Sequence, residues 1–319
     1  MGLSALHSAN IIVGAWQLGD SLMIKKILVP MGGVSERSRH LEAALGLAVR
    51  FGAHVDALHA ALDPRDSVAY LGDGMTGTMI SQVMAAAEKE SQERAIQAQE
   101  VFRESCEKLN IAVTGNPMPN TDVKPSASFD SIAGHQDVLI AHHGRLSDLI
   151  VGSRSVTDTT PVLPVALEAA IMETGRPVLV VPPVEIAWDA LASIGKKIAI
   201  AWAGSPEASR AVAFSIPFLH EAEQVSIIFY GGEHGEGAGA SELQEYLAWH
   251  GIAASVAVEE GQSLEKASIG ASLLKRAEKL DIDLLVMGAF THSRLRQIIF
   301  GGLTRHILEN AQIPLLLAH

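Results

Sequence analysis

The chain has 319 residues, of which 48% are hydrophobic, 19% charged and only 5% aromatic. At roughly 100–200 residues per domain, that length predicts two domains, each able to bury its own core. Lys and Arg total 24 against 36 Asp and Glu, and the net charge of −12 argues against nucleic acid or an anionic membrane as partner, because both draw on a positive field.

The first 22 residues, MGLSALHSANIIVGAWQLGDSL, carry no Lys or Arg, and Gln17 and Asp20 interrupt their apolar run, so they do not read as a signal peptide. They are set aside as an upstream extension or a late-start artefact. No apolar run reaches the length of about 18 residues that a membrane span needs. The single cysteine, Cys106, excludes an intrachain disulfide framework and a multi-cysteine metal cage. The cytoplasm is the expected compartment.

From residue 23 onward, short apolar runs alternate with helix-period segments. Strands are expected at about 26–31, 53–60, 111–115, 147–152 and 177–181, with helices at about 36–51, 78–109, 127–142 and 163–174. Pro182-Pro183 ends the fifth strand, and 184–194 reads as a linker. The pattern then repeats, with strands at about 197–202, 225–230, 254–258, 283–287 and 314–317. Lys25-Lys26-Ile27-Leu28-Val29-Pro30 answers Lys196-Lys197-Ile198-Ala199-Ile200-Ala201. Gly33, Glu36, Ser38 and Arg39 fall in register with Gly204, Glu207, Ser209 and Arg210. Asp148-Leu149-Ile150-Val151-Gly152 answers Asp283-Leu284-Leu285-Val286-Met287-Gly288, and Pro177 with its apolar run answers Pro314. Four landmarks in one order imply a duplication. The expected organisation is an extension (1–22), a first domain (23–183), a linker (184–194) and a second domain (195–319). Each domain is expected to be an α/β unit, an open five-stranded parallel sheet with helices on both faces.

Open parallel sheets bind ligands outside the carboxyl ends of their strands. In the second repeat the fourth strand leads from Gly288 through Thr291, His292, Arg294 and Arg296 to Gly301, Gly302, Thr304 and Arg305, with no acidic residue between Asp283 and Glu309. Two glycines at a helix start let backbone N–H groups approach a phosphate, and the arginines form a basic island in an acidic chain. The alternative is a glycine cap with solvated arginines on a helix face.

Taken together, the KKILVP and KKIAIA first strands, the GSPEASR helix start, the DLLVMG fourth strand and the IPLLL fifth resemble a tandem universal stress protein with two UspA-type domains. The resemblance implies a Rossmann-like fold related to adenine nucleotide alpha hydrolases, and in nucleotide-binding members a G-x2-G-x9-G-[S/T] loop for ATP phosphates plus an Asp after strand one for adenosine. Gly288 and Gly301 match the first and last glycines, Thr291 replaces the middle one, and Gly302 replaces the Ser/Thr. The expected Asp is Ala203 in the second repeat and Gly32 in the first. In the first repeat Gly152-Ser153-Arg154-Ser155 runs into Thr157-Asp158-Thr159-Thr160-Pro161 without the later glycines, so that repeat is expected not to bind ATP.

Several other patterns have plainer explanations. Gly72–Gly77 spells G-x-G-x-x-G but lacks a strand directly before it, so it reads as a loop ahead of a long helix. Gly231–Gly239 contains two glutamates that would repel phosphate. Ser263-x-x-Lys266 reads as a helix N-cap. Among the 13 histidines, His54 and His59 should face opposite sides of a strand, His142 and His143 different faces of a helix, and His220 and His250 lie near helix ends, so no metal site is expected.

The sequence therefore points to a universal stress-type protein that acts by binding, with no catalytic residues assigned. Gly288, Thr291, His292, Arg294, Gly301, Gly302, Thr304 and Ala203 form the candidate site, for ATP or another adenine nucleotide with magnesium. The alternative is a scaffold that has lost nucleotide binding and holds another metabolite or docks a protein. Enzymatic activity would amount at most to slow ATP hydrolysis, since the loop offers no metal carboxylate and no Walker-A motif. The two repeats are expected to pair as an intrachain pseudo-dimer through their fifth-strand edges, with a homodimer of tandem chains as a further assembly.

Overall fold

The computed structural model describes residues 24–32, 38–63, 76–115, 125–156, 161–184, 191, 193–229, 238–258, 266–289 and 302–319. Eight helices occur among them: α1 (Arg39–Phe51), α2 (Gly77–Lys108), α3 (Gln136–Gly144), α4 (Val165–Glu173), α5 (Pro206–His220), α6 (Ala240–Trp249), α7 (Lys266–Lys279) and α8 (Gly302–Asn310). The strands of the first repeat are β1 (Lys26–Met31), β2 (His54–Ala61), β3 (Ala112–Val113), β4 (Ser126–Ala133), β5 (Leu149–Ser153), β6 (Ser155–Val156), β7 (Pro161–Val162) and β8 (Val178–Val181). The second repeat supplies β9 (Lys197–Trp202), β10 (Gln224–Phe229), β11 (Ser255–Val258), β12 (Leu284–Gly288) and β13 (Leu315–Ala318).

Eleven strands form one open sheet in the order β11-β10-β9-β12-β13-β8-β5-β1-β2-β4-β3. The order β4-β2-β1-β5-β8 of the first repeat mirrors β11-β10-β9-β12-β13 of the second, the topological trace of the duplication. All neighbours are parallel except at the seam, where β13 and β8 run antiparallel with Leu315, Leu316 and Leu317 opposite Val180, Leu179 and Val178. The fifth-strand edges thus cover each other, as the sequence led us to expect. That reversal also places the carboxyl ends of the two repeats' strands at opposite ends of the sheet.

Period-two side-chain alternation explains why these strands read as continuous apolar runs. Ile27, Val29, Leu179, Val181, Ile198, Ile200 and Leu316 pack on one face, against residues of α1, α2, α5 and α6. Leu28, Val178, Val180, Ala199, Leu315 and Leu317 pack on the other, with residues of α3, α4, α7 and α8. Both layers run across the seam, so the two repeats share their cores.

The landmark aspartates have a structural role. Asp148 Oδ2 accepts from the backbone N–H of Lys25 and Lys26 at 2.9 and 3.0 Å. Asp283 accepts from Gly195, Lys196 and Lys197 at 2.9, 3.0 and 3.1 Å. Each carboxylate ties the start of its repeat's central strand to the neighbouring strand. At α5, Pro206 occupies the first turn and Ser205 Oγ accepts from Ala208 N at 3.2 Å, which accounts for the Gly-Ser-Pro-Glu signature.

Three expectations are corrected. The helix expected over 127–142 is instead strand β4 followed by α3. Ser126-Ala127-Ser128-Phe129 alternates small polar and apolar residues, Ala127 is buried against the sheet, and Gly134, with φ of 150°, breaks the chain before the helix. The strand expected at 111–115 shrinks to the two-residue edge β3, which gives the first repeat's part of the sheet six strands rather than five. His142 and His143, expected to diverge, meet edge-on with ring centroids 5.3 Å apart.

Candidate functional site

In the second repeat, β9 ends at Trp202 and the chain turns through exposed Ala203 and Gly204, whose φ of 66° suits glycine, into α5. Gly288, at the end of β12, faces this turn. A Cβ on Gly288 would stand 2.6 Å from Ala208 N and 2.8 Å from the Glu207 carbonyl carbon. The first glycine of the candidate loop is therefore required by close packing of strand against helix, whatever ligand the crevice takes. Beyond it Ala289 N–H donates to Ala318 O at 2.8 Å, which holds the ends of β12 and β13 together.

Helix α8 opens at Gly302, with Thr304 buried in its first turn. Arg305, counted in the basic island from sequence, is exposed and paired with Glu309 at 2.7 Å, so its charge is offset on its own helix. At the start of α5, Glu207 Oε1 meets Arg210 at 3.1 Å, while its Oε2 is buried without a partner. Sequence reading missed this carboxylate as part of the crevice, although its place in the matched helix start was visible. Thr291, His292, Arg294, Arg296 and Gly301 lie outside the described residues, so of the expected site the structure places Ala203, Gly288, Gly302 and Thr304. The Ser263 motif and residues 1–22 also lie outside the described residues.

The corresponding end of the first repeat is occupied by its own side chains. His40 Nε2 lies 3.0 Å from Pro30 O and 3.3 Å from Ser38 Oγ, and buried His59 places Nδ1 3.1 Å from Met31 O. Burial lowers the His40 pKa to about 4, against the smaller opposing pull of the Pro30 carbonyl. After β5 the chain forms the small antiparallel ladder β6–β7, with Ser155 opposite Val162 and Val156 opposite Pro161, in place of a glycine-rich loop.

The remaining patterns resolve into structure. Thr76 caps α2 through Met79 N at 3.4 Å, and Glu242 reaches back to Gly239 N at 2.6 Å at the start of α6. Residues 72–75 and 231–237 of those two glycine patterns lie outside the described residues. His54 bonds Ser126 and Ser128 across the β2–β4 pair at 2.8 and 3.0 Å. Cys106 is buried in α2, and burial together with neighbouring Glu107 pushes its thiol pKa up to about 11, which keeps it protonated and unreactive. Among the described residues no three His, Cys, Asp or Glu side chains cluster as metal ligands, and no helix is long and apolar enough to cross a membrane.

The universal stress protein family profile matches residues 23–121 and 195–319. No curated protein matches the chain. Among solved structures, a universal stress protein from Archaeoglobus fulgidus DSM 4304 superposes with a TM-score of 0.63 at 15% identity, covering 92% of this chain and 97% of the other. A protein from Pseudomonas aeruginosa UCBPP-PA14, described as a universal stress protein, gives 0.52 at 14% identity, with 92% and 93% coverage. At such identities the likeness is one of fold.

Proposed function

The chain belongs to the universal stress protein family, in a tandem arrangement, and from that premise we propose that it acts by reversible binding of an adenine nucleotide in its second repeat. In this reading the chain divides into a first domain (23–183), a linker (184–194) and a second domain (195–319), and works in the cytoplasm. ATP, with magnesium, is held through Gly288, Thr291, His292, Arg294, Gly301, Gly302 and Thr304, while Ala203 stands where an adenosine-binding aspartate is lacking. The observation that carries the reading is the start of α8: Gly302, directly after Gly301, opens the helix, with Thr304 in the first turn. Such a start presents the positive end of the helix dipole to an anion. The first repeat, its strand ends closed by His40, His59 and the β6–β7 ladder, serves as the structural partner.

A second reading is favoured by Glu207 and Ala203. A carboxylate oxygen without a partner beside Gly288 repels a polyphosphate, and the side chain of exposed Ala203 has no group to hydrogen-bond a ribose. On this reading the crevice holds an uncharged or cationic metabolite, or docks a protein. Isothermal titration of ATP and ADP with magnesium into ligand-stripped protein separates the two. Saturable binding near one site per chain, abolished in Gly301→Asp, is the outcome expected for nucleotide binding. Absence of heat at about millimolar nucleotide, where binding is weaker than about 4 kcal/mol, overturns it in favour of the second reading.

A further inference from the structure

We propose that Arg154 is a positioning residue through which the first repeat holds the ligand-facing helix of the second. The inference deepens the nucleotide reading and rests on it only for the identity of the ligand. Arg154 follows directly on β5, at the carboxyl end of the first repeat's strands, and only 7% of its surface is exposed. Its guanidinium leaves the first repeat: Nη1 donates to Leu308 O and Nη2 to Ala311 O. Those carbonyls belong to the last turn and end of α8, where no further helix N–H is available, and both Leu308 and Ala311 are buried. Burial lowers the Arg154 pKa, and among the described residues no carboxylate pairs with it, so the negative end of the α8 dipole is its counter-charge.

The seam explains how this contact spans the molecule. Because β8 and β13 are antiparallel, the carboxyl end of the first repeat lies beside the amino end of β13, where α8 terminates. Helix α8 therefore runs from the ligand end of one repeat to the ligand end of the other, about 13 Å for its length. An arginine standing where the first repeat would begin its own phosphate loop grips the far end of the helix that opens the second repeat's loop.

The arrangement works in one direction. The sheet register, in which Leu149 stands beside Ile27 as Leu284 stands beside Ile198, puts buried Ala289, not an arginine, at the position equivalent to Arg154. Helix α4, the counterpart of α8, has its end served from within its own repeat: Thr174 Oγ1 donates to Ala170 O at 2.5 Å and Arg145 Nε to Glu173 O at 3.2 Å. Among the described residues, α8 alone borrows C-terminal donors from the other repeat. Arg154 thus fixes the axial position of α8 and keeps its first-turn N–H groups aimed at an anion, and the first repeat sets the phosphate affinity of the second without binding phosphate itself.

The test uses the full chain as wild type, Arg154→Met and Arg154→Lys, titrated with magnesium ATP and, separately, with adenosine, which lacks the phosphates that meet α8. Amide hydrogen exchange across α8 is followed in the same proteins without ligand. We expect Arg154→Met to weaken ATP by about tenfold while adenosine binding is unchanged, and to accelerate exchange across α8 relative to β12 and β13. Arg154→Lys, which keeps the charge but loses the fork of donors that reaches both carbonyls, should recover only part of the ATP affinity. Parallel weakening of ATP and adenosine, or unchanged ATP affinity with wild-type exchange in α8, overturns the proposal. Should wild type bind neither ligand, the nucleotide reading fails and exchange alone decides: acceleration confined to α8 upholds the positioning role, and uniform or absent change sinks it.

Discussion

At the scale of single residues, Gly288 illustrates how a motif position can carry two demands. Its place in the candidate phosphate loop was visible in the sequence, but the space that forbids a side chain is set by Glu207 and Ala208, far away along the chain. Because the obstructing atoms include backbone, they cannot swing aside as a flexible side-chain tip would. Gly288→Ala should therefore destabilise the protein by about 1–3 kcal/mol, the cost of overpacking, and lower the melting temperature even in the absence of any ligand. Unchanged thermal melting would show that α5 shifts freely. His40 makes a second residue-scale prediction. Its folded pKa of about 4 lies below the ordinary histidine value of 6.5, so between these limits the unfolded chain takes up a proton that the folded one does not. The contribution of His40 is complete above pH 6.5 and is lost as pH falls towards 4, a loss of at most about 3 kcal/mol, less what its residual solvent contact screens. His40→Gln retains a donor for Pro30 O but cannot titrate. Urea-unfolding free energies measured from pH 4 to 7 should accordingly fall less steeply in the variant than in wild type, and identical slopes would remove His40 as the cause.

At the scale of elements, the two Asp landmarks differ in how much backbone they satisfy. Asp283 accepts three N–H groups and is held above the ordinary carboxylate pKa by its burial, against the pull of those same donors, whereas Asp148 accepts two. Truncation strands the donors at the entry of β9. Asp283→Ala is thus expected to cost about 2–3 kcal/mol in denaturant unfolding and to exceed the cost of Asp148→Ala; the reverse ranking would show that water replaces the carboxylate at β9. The sequence showed these aspartates as repeat markers because their spacing from each lysine pair recurs. It also showed α2 to within a residue or so at either end, from Ile80, Val83, Met84, Ala87, Ile96, Val101 and Leu109 at helical spacing on a charged background. The face actually buried, however, is Ser91, Ala98, Phe102 and Cys106, and Ile96 is exposed. Strand β4 was hidden because serine-rich SASFDSIA has neither a long apolar run nor a strong helix stripe. Its strand state is decided by eight in-register pairs with β2, a tertiary choice that local propensity does not carry. Arg154 was equally illegible, because its partners sit in the other repeat and carbonyl acceptors leave no mark on side-chain pattern.

At the scale of the whole molecule, the seam decides whether the repeats behave as two bodies or one. Leu315–Leu317 pair with Val178–Val180 at the centre of a sheet whose two apolar layers cross from repeat to repeat. A second tie lies near the ends of α1 and α5. There Phe51 and Phe218 meet edge-to-face with centroids 5.3 Å apart, and the Arg50 guanidinium lies 5.1 and 5.8 Å from the two rings. Arg50 also donates to Ile194 O at 2.6 Å and pairs with Glu221. Phe218 is fully buried, so Phe218→Ala should cost about 3–5 kcal/mol, more than the stacking alone, because a cavity opens where both repeats pack. A shared core of this kind predicts one cooperative urea transition for the entire chain, with fluorescence of the four tryptophans, of which buried Trp202 reports on the second repeat, coincident with far-ultraviolet circular dichroism from both repeats. Leu316→Asp places a carboxylate between the repeats, opposite Leu179, where neither water nor a counter-charge awaits it among the described residues. That variant should separate the two signals into distinct transitions while leaving helix content largely intact at low denaturant. If wild type already shows separate transitions, the seam is an apposition rather than a shared core. The influence of the first repeat on the second would then reside in local contacts such as that of Arg154, not in a common folding unit.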